Sequence, residues 1–265
     1  MANEFQIQLK VERAKQHVRD LDSATRQFLD SKPYIVGTKR NPQTRQLIYY
    51  VVSVKPIPSH LTLIAGDVIQ NLVSALDHLA YQLVLKDTKG VPPKPKKIYF
   101  PIFESSTEYE ARKCGKIEGA GKDTFDAIDK IKPYKGGNDD LWILHRLNNI
   151  EKHRLLLTVG SATSGMNIGQ YLANFMSKNT PVVAPGAWES MNLFLAPEDT
   201  GFPLEAGFEL FIDAVDAEPD PNQQFGFTIA LDEPGVIDGK PLLPTMETFL
   251  TVVENVFNDL APLLK

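Results

Sequence analysis

The chain has 265 residues and a net charge of −5, and 43% of its residues are hydrophobic, which is enough to build a substantial core. A single cysteine excludes an internal disulfide and a cysteine-based zinc cluster, and it favours a reducing compartment. No apolar run reaches the roughly 18 residues that span a bilayer, and the first residues lack an apolar signal region. We therefore expect a cytoplasmic protein with no membrane partner.

Charge is divided unevenly along the chain. Residues 1–159 carry 25 basic and 18 acidic side chains, whereas residues 160–265 carry 3 basic and 15 acidic ones. A basic half favours a polyanionic partner. The alternative is that the two halves attract one another within the fold.

The first predicted elements are a long helix, a β-hairpin and a second long helix. Apolar residues at three- and four-residue steps predict a helix over residues 3–30. The β-rich runs at 34–37 and 47–54 flank a polar turn that contains Asn-Pro, which predicts a hairpin. Ser59 is a good N-cap for a helix over about 59–86.

A short strand, two short helices and a longer helix are predicted next. The strand covers residues 97–103, and the short helices cover 107–114 and 122–131. Asn138 is a predicted N-cap for the longer helix, which we expect to end two residues before Gly160.

The remainder of the chain changes character, because turn residues become frequent and strands dominate. Strands are predicted at 191–196, 208–215 and 225–233, and a final helix at 244–264. Together with the first half, this pattern predicts an α+β fold.

Two regions are expected to share this fold. Residues 1–160 would form a helical core that includes the β-hairpin at 34–54. Residues 161–265 would form a β-rich region with an antiparallel sheet and a C-terminal helix packed on the core.

The segment "LWILHRLNNIEKHRLLL" at residues 141–157 is helical in pattern, yet it carries two His and two Arg. On a helical wheel its broad apolar face consists of Ile143, Leu144, Leu147 and Ile150. A second stripe consists of Trp142, Arg146, Asn149 and His153. This stripe is either a solvent-exposed face, a seam against a second helix or a catalytic group.

Three residues of that stripe have the chemistry that cleavage of an RNA phosphodiester needs. Arg146 would stabilise charge on the phosphate, His153 would transfer protons, and Asn149 would orient them. Such a reaction needs no metal. Because one His cannot supply both an acid and a base, two copies facing across a two-fold axis would complete the site.

The spacing of Arg146 and His153, with six residues between them on a long core helix, resembles the HEPN superfamily. The resemblance implies a helical bundle that forms a homodimer. Many members are metal-independent ribonucleases with the Arg and His of both protomers in one cleft, and others are binding or structural modules. Leu147 argues against catalysis, because active HEPN nucleases often have a polar residue after the Arg.

A narrower similarity is to a family of uncharacterised bacterial proteins. It is carried by "GDVIQNLVSALDHLAYQL" (66–83), "FPIF" (100–103), "KPYK" (132–135) and the helix described above. This similarity implies no established function.

The second long helix carries a polar stripe along a surface otherwise rich in Leu, Val and Ala. The stripe consists of Asp67, Asn71, Ser74, His78 and Tyr81, with Asp77 beside it. It is either an ordinary exposed face or a partner of the other stripe, with Asp77 or His78 bonding to Arg146 or His153. Gly66 would let a neighbouring helix approach closely.

Metal and cofactor sites find no support in the sequence. The helices contain no Glu-x-x-His and no His-Glu-x-x-His motif, so we expect no metal ligands. Glycine-rich loops of the kind that hold nucleotide cofactors are also absent.

Two functional hypotheses therefore stay open. In the first, the chain is a non-catalytic HEPN-like scaffold that binds RNA or a protein partner, in defence or stress response. In the alternative, it is a metal-independent RNA endonuclease that acts as a homodimer through Arg146 and His153. An open basic cleft would favour the nuclease, and bonds of these residues within one protomer would favour the scaffold.

Overall fold

The computed structural model describes residues 2–154, 157–169, 194–195 and 202–265. Within that part the fold is α+β, as predicted, with six α-helices and two small antiparallel sheets. The elements are α1 (Ala2–Asp30), β1 (Tyr34–Arg40), β2 (Gln46–Val54), α2 (Ser59–Asp87), α3 (Ser106–Lys116), α4 (Lys122–Ile131), α5 (Asp139–Arg154), β3 (Val159–Asn167), β4 (Phe194–Leu195), β5 (Glu209–Val215), β6 (Phe225–Glu233), β7 (Ile237–Pro241) and α6 (Leu242–Leu260).

Helix α2 lies at the centre of the helical layer. Its 29 residues include 14 buried ones between Leu61 and Val84, which form one broad face, whereas Leu63, Asp67, Gln70 and His78 on the other side are exposed. Such a broad apolar face is typical of a helix that packs against several neighbours. Helices α1, α5 and α6 all pack against α2, and α6 also contacts α1 and α5. None of the described helices combines the length and apolarity that a membrane crossing requires.

The two sheets join distant parts of the chain. The first has the order β1-β2-β5, so the predicted hairpin pairs with a strand from the second half of the chain. Its turn is closed by Asn41, whose side-chain oxygen accepts hydrogen bonds from the backbone N–H groups of Gln43 and Thr44. The second sheet has the order β4-β3-β6-β7, in which every pair is antiparallel.

The strand predicted at 97–103 is wrong. Residues 95–97 form a 3₁₀ turn, and the chain then runs extended between helices without a neighbouring strand. Two of its backbone N–H groups bond to helices, since Tyr99 donates to the carbonyl of Lys116 and Phe100 donates to the side chain of Asp77. Phe103 forms only an isolated parallel bridge with Tyr134. Pro101 has no N–H to contribute to a sheet ladder.

Helix α5 is shorter than predicted. Asn138 caps it as expected, because its side-chain oxygen accepts the N–H of Leu141. The described helix reaches Arg154, residues 157–158 are not helical, and Gly160 lies within β3 rather than at a helix stop. A Cβ atom on Gly160 would lie 2.6 Å from the ring of Phe202, so glycine is needed there for close packing.

The other differences between predicted and observed elements are smaller. Ser59 is the first residue of α2 rather than its cap, because Pro58 holds the cap position and no side chain bonds the helix end. Strand β7 was not predicted, since its sequence "IDGKP" lacks alternating apolar residues. Of the strand predicted at 191–196, only residues 194–195 lie in the described part of the chain, where they form β4.

Candidate functional site

Arg146 lies on α5 and is engaged within its own chain. Its Nη1 atom lies 3.2 Å from Oε1 of Glu104, and the other carboxyl oxygen of Glu104 accepts the indole N–H of Trp142 at 2.9 Å. Trp142, predicted to share the polar stripe, is buried. The Nε atom of Arg146 is also buried, and its N–H has no acceptor among the described residues. The guanidinium is therefore held at the junction of α5 and the segment before α3.

Asn149 is paired with a residue that the sequence hypothesis did not assign. Its side-chain nitrogen lies 3.1 Å from Nε2 of His145, one helical turn earlier. Burial, reinforced by the nearby charges of Lys116, Lys152 and Arg146, lowers the pKa of His145 to about 4. His145 is thus a neutral imidazole at pH 7 whose Nε2 accepts the amide of Asn149.

His153 contributes its backbone to α5, but its side chain lies outside the described residues. The predicted grouping of Arg146, Asn149 and His153 therefore stays a prediction. What the structure does place is the partner of each described member, Glu104 for Arg146 and His145 for Asn149.

The polar stripe of α2 divides into two parts. Asp67 is exposed, and Asn71 donates its side-chain N–H to the carbonyl of Asp67 within the helix. Asp77 and His78, one to two turns further on, line a cavity. Nearer the start of α2, Gly66 permits the close approach that was predicted, because a Cβ there would lie 3.3 Å from Cγ of Glu151 on α5.

The cavity has a volume of about 610 Å³ and opens between α1, α2, α5 and residues 95–99. This volume falls within the range of about 300–1,000 Å³ that is usual for small-molecule sites. Its polar and aromatic lining includes Gln6, Ser74, Asp77, His78, Tyr81, Lys96, Tyr99, Asn148 and Lys152. Sequence reasoning found its α2 wall and missed the α5 and 95–99 walls.

Asp77 is the one acidic residue among the described residues that line this cavity. One of its carboxyl oxygens accepts the backbone N–H of Phe100 at 2.9 Å, which ties α2 to the extended segment. Burial raises the pKa of Asp77 above its ordinary value, opposed by the Phe100 N–H and by the charges of Lys152, Lys116 and His78.

Asn148 is the residue that sequence reasoning overlooked most plainly. Only 1% of it is exposed, it lines the cavity, and its side-chain oxygen has no hydrogen-bond partner among the described residues. A buried amide oxygen without a donor costs free energy unless a ligand or water supplies one. The available signal was the pair of adjacent Asn residues in the middle of a helix, where Asn is unfavourable.

Lysine side chains surround this region. Lys96 and Lys152 line the cavity. Lys116 lies nearby, with its Nζ atom 5.0 Å from the ring centre of Tyr99, and it acts electrostatically on Asp77 and His145. An anionic group entering the cavity would therefore meet positive potential.

Metal chemistry finds no site in the part of the chain that the structure describes, where no three His, Cys, Asp or Glu side chains are grouped to hold an ion. Comparisons with protein-family models, with curated proteins and with solved structures gave no match to this chain.

Proposed function

We propose that this chain is a non-catalytic, HEPN-like module that binds single-stranded RNA in the cytoplasm through the cavity between α2, α5 and residues 95–99. The observation that carries the proposal is the cavity itself: a concave site of about 610 Å³, lined by two lysines and two tyrosines, with a third lysine beside it. Cationic grooves with aromatic side chains are the usual means of holding single strands.

The pairing of Arg146 supports the non-catalytic form of this proposal. A catalytic arginine has to reach the phosphate, whereas this one shares the carboxylate of Glu104 with Trp142. Its salt bridge is half-exposed, with 42% of the Arg146 side chain and 52% of the Glu104 side chain accessible. Such a pair contributes about 0–1 kcal/mol, and its role is to hold the segment before α3 against α5.

RNA affinity tests the proposal directly. Binding of a labelled single-stranded RNA of about 12 nucleotides would be followed by fluorescence anisotropy at several salt concentrations. We expect the double variant Lys96→Ala/Lys152→Ala to bind roughly tenfold more weakly than wild type and to show a shallower salt dependence.

The matched control is Lys122→Ala/Lys130→Ala, which removes two exposed lysines of α4 that do not line the cavity. This control should bind within about twofold of wild type. Equal losses in both double variants would show non-specific attraction and would overturn the assignment of the cavity. No binding by wild type at low salt would overturn the function.

The alternative, a dimeric metal-independent nuclease, predicts a different result with the same RNA. Wild type would cut it in EDTA and leave 2′,3′-cyclic phosphate ends, and His153→Ala would abolish cutting while remaining folded. Light scattering would then be expected to report a homodimer, because each protomer would supply half of the acid–base pair.

A further inference from the structure

The cavity presents two hydrogen-bond acceptors that the described residues leave without donors. One is the side-chain oxygen of Asn148, a residue only 1% exposed. The other is the second carboxyl oxygen of Asp77, since the first is occupied by the Phe100 N–H. Both residues line the same cavity, Asp77 from α2 and Asn148 from α5. A ligand that fits must bring one donor to each of these two acceptors.

The remaining lining defines the rest of such a ligand. Two aromatic residues, Tyr81 and Tyr99, line the cavity, which favours a flat aromatic group. Lys96 and Lys152 add positive charge at exposed positions, which favours an anionic group that stays near solvent. A planar base with donors on one edge and a phosphate attached combines these features.

We propose that this cavity binds a guanine base, with Asn148 and Asp77 accepting its N1–H and N2–H groups and with Lys96 and Lys152 near its phosphate. Among the four RNA bases, guanine alone presents two neighbouring donor groups on its Watson–Crick edge. On the Watson–Crick edge of adenine or cytosine, an amino donor lies beside a ring-nitrogen acceptor. On that of uracil, a single N–H lies between two carbonyl groups. Those bases would bring an acceptor against an acceptor and leave a buried group unpaired.

Two kinds of ligand carry a guanine base: single-stranded RNA, as an unstacked base, and a free guanine nucleotide. The choice of RNA rests on the proposed function, whereas the choice of guanine rests on the acceptors alone. Unstacked bases in single-stranded RNA offer their Watson–Crick edges for this kind of recognition. The two sources are separated by using each as its own probe.

The experiment measures binding of GMP, AMP, CMP and UMP by calorimetry, and of single-stranded RNAs that differ only in carrying guanine or adenine at a central position. We expect wild type to prefer guanine by about tenfold or more in at least one of the two series, as good paired contacts to a base do. Asp77→Asn and Asn148→Leu should each remove that preference.

The two variants differ in their risk to folding. Asp77→Asn keeps an oxygen for the Phe100 N–H and replaces the second, free oxygen by an NH2 donor. Asn148→Leu removes the acceptor and keeps the branching at Cγ, although its methyl groups are larger, and thermal melting verifies that the variant is folded. Asp67→Asn, on an exposed part of the same helix and outside the cavity, is the matched control and should keep the preference.

The outcomes separate this inference from the proposed function. Guanine preference in the nucleotide series with no RNA binding would support the inference and overturn the RNA function. RNA binding with equal affinity for guanine and adenine, and no preference among the nucleotides, would support the function and overturn the inference. Preference that survives both Asp77→Asn and Asn148→Leu would also overturn it.

Discussion

Nη1 of Arg146 lies 3.2 Å from Oε1 of Glu104, and the second oxygen of the same carboxylate accepts the indole N–H of Trp142. Because Trp142 and Arg146 are four residues apart, they lie on one face of α5 and both contact the carboxylate of Glu104. The relationship fixes the segment before α3 to α5, and it gives Arg146 a structural partner in its own chain.

Removal of this arginine should therefore have a modest effect on stability. We expect Arg146→Ala to lower the free energy of unfolding by about 1 kcal/mol, because a half-exposed pair is lost while Glu104 keeps its bond to Trp142. For a chain of this size the melting temperature should fall by about 2–4 °C. Calorimetric melting of wild type, Arg146→Ala and Glu104→Gln measures it. Loss of an EDTA-resistant RNA cleavage in a fully stable Arg146→Ala would contradict the structural role.

His145 should make the protein sensitive to mild acid. Its pKa is lowered to about 4 in the folded state, whereas the unfolded chain binds its proton near pH 6.5. The unfolded state thus binds more protons in this window, and stability falls as pH decreases from about 6.5 towards 4. The contribution of this one residue is of the order of 3 kcal/mol across the window.

Urea unfolding of wild type and His145→Gln between about pH 7.5 and 4.5 measures this contribution. We expect the variant to lose less stability than wild type as the pH falls, because glutamine keeps an acceptor for Asn149 and takes up no proton. His60→Gln, at an exposed position of α2, is the control and should give a curve parallel to that of wild type. Parallel curves for His145→Gln as well would mean that this imidazole is not buried in the neutral form.

Asp77 should change the stability of the protein with pH in the opposite direction to His145. Its pKa is raised by burial, so the folded state binds the proton more readily than the unfolded chain. The resulting stabilisation is present below the unfolded pKa and is lost as pH rises through the folded pKa, which leaves a penalty at pH 7. We expect Asp77→Asn to melt about 1–3 °C higher than wild type at pH 7, with the difference shrinking in acid.

Melting of both proteins at several pH values, together with ligand binding at pH 7, tests this expectation. A gain in stability combined with a loss of guanine preference would identify Asp77 as a residue kept for binding at the expense of stability. A lower melting temperature for Asp77→Asn at pH 7 would instead assign the carboxylate a mainly structural role through the Phe100 N–H.

Patterns of apolar spacing predicted most of the helical layer. Residues 3–30, 59–86 and 122–131 were assigned almost at their observed bounds, because each is a periodic segment with a clear stop such as Pro33. The strand prediction for 97–103 failed because its alternation of apolar residues fits a strand, while its hydrogen-bond partners are two helices and the loop at Pro133, all distant in sequence. Local pattern carries no information about such partners.

The lining of the cavity was predicted only where it belongs to the polar stripe of α2. Asp77 and His78 stood out on α2 because polar residues there interrupt an apolar helix. Asn148 and Lys96 lie on other elements, and the folding of residues 95–99 against α2 brings them to the same cavity. The partner of Arg146 was missed for the same reason, since Glu104 lies 42 residues earlier in the chain.

Gly160 provides a test of how β3 packs. A Cβ atom there would lie 2.6 Å from the ring of Phe202, so Gly160→Ala should displace the ring and cost about 1–3 kcal/mol, seen as a melting temperature lower by several degrees. Gly115→Ala is the matched control, because a Cβ on Gly115 meets no atom within 4 Å and alanine favours helix α3. In a Phe202→Ala background the Gly160→Ala change should cost little, since the obstructing ring is gone. An equal loss in both backgrounds would place the strain elsewhere in β3.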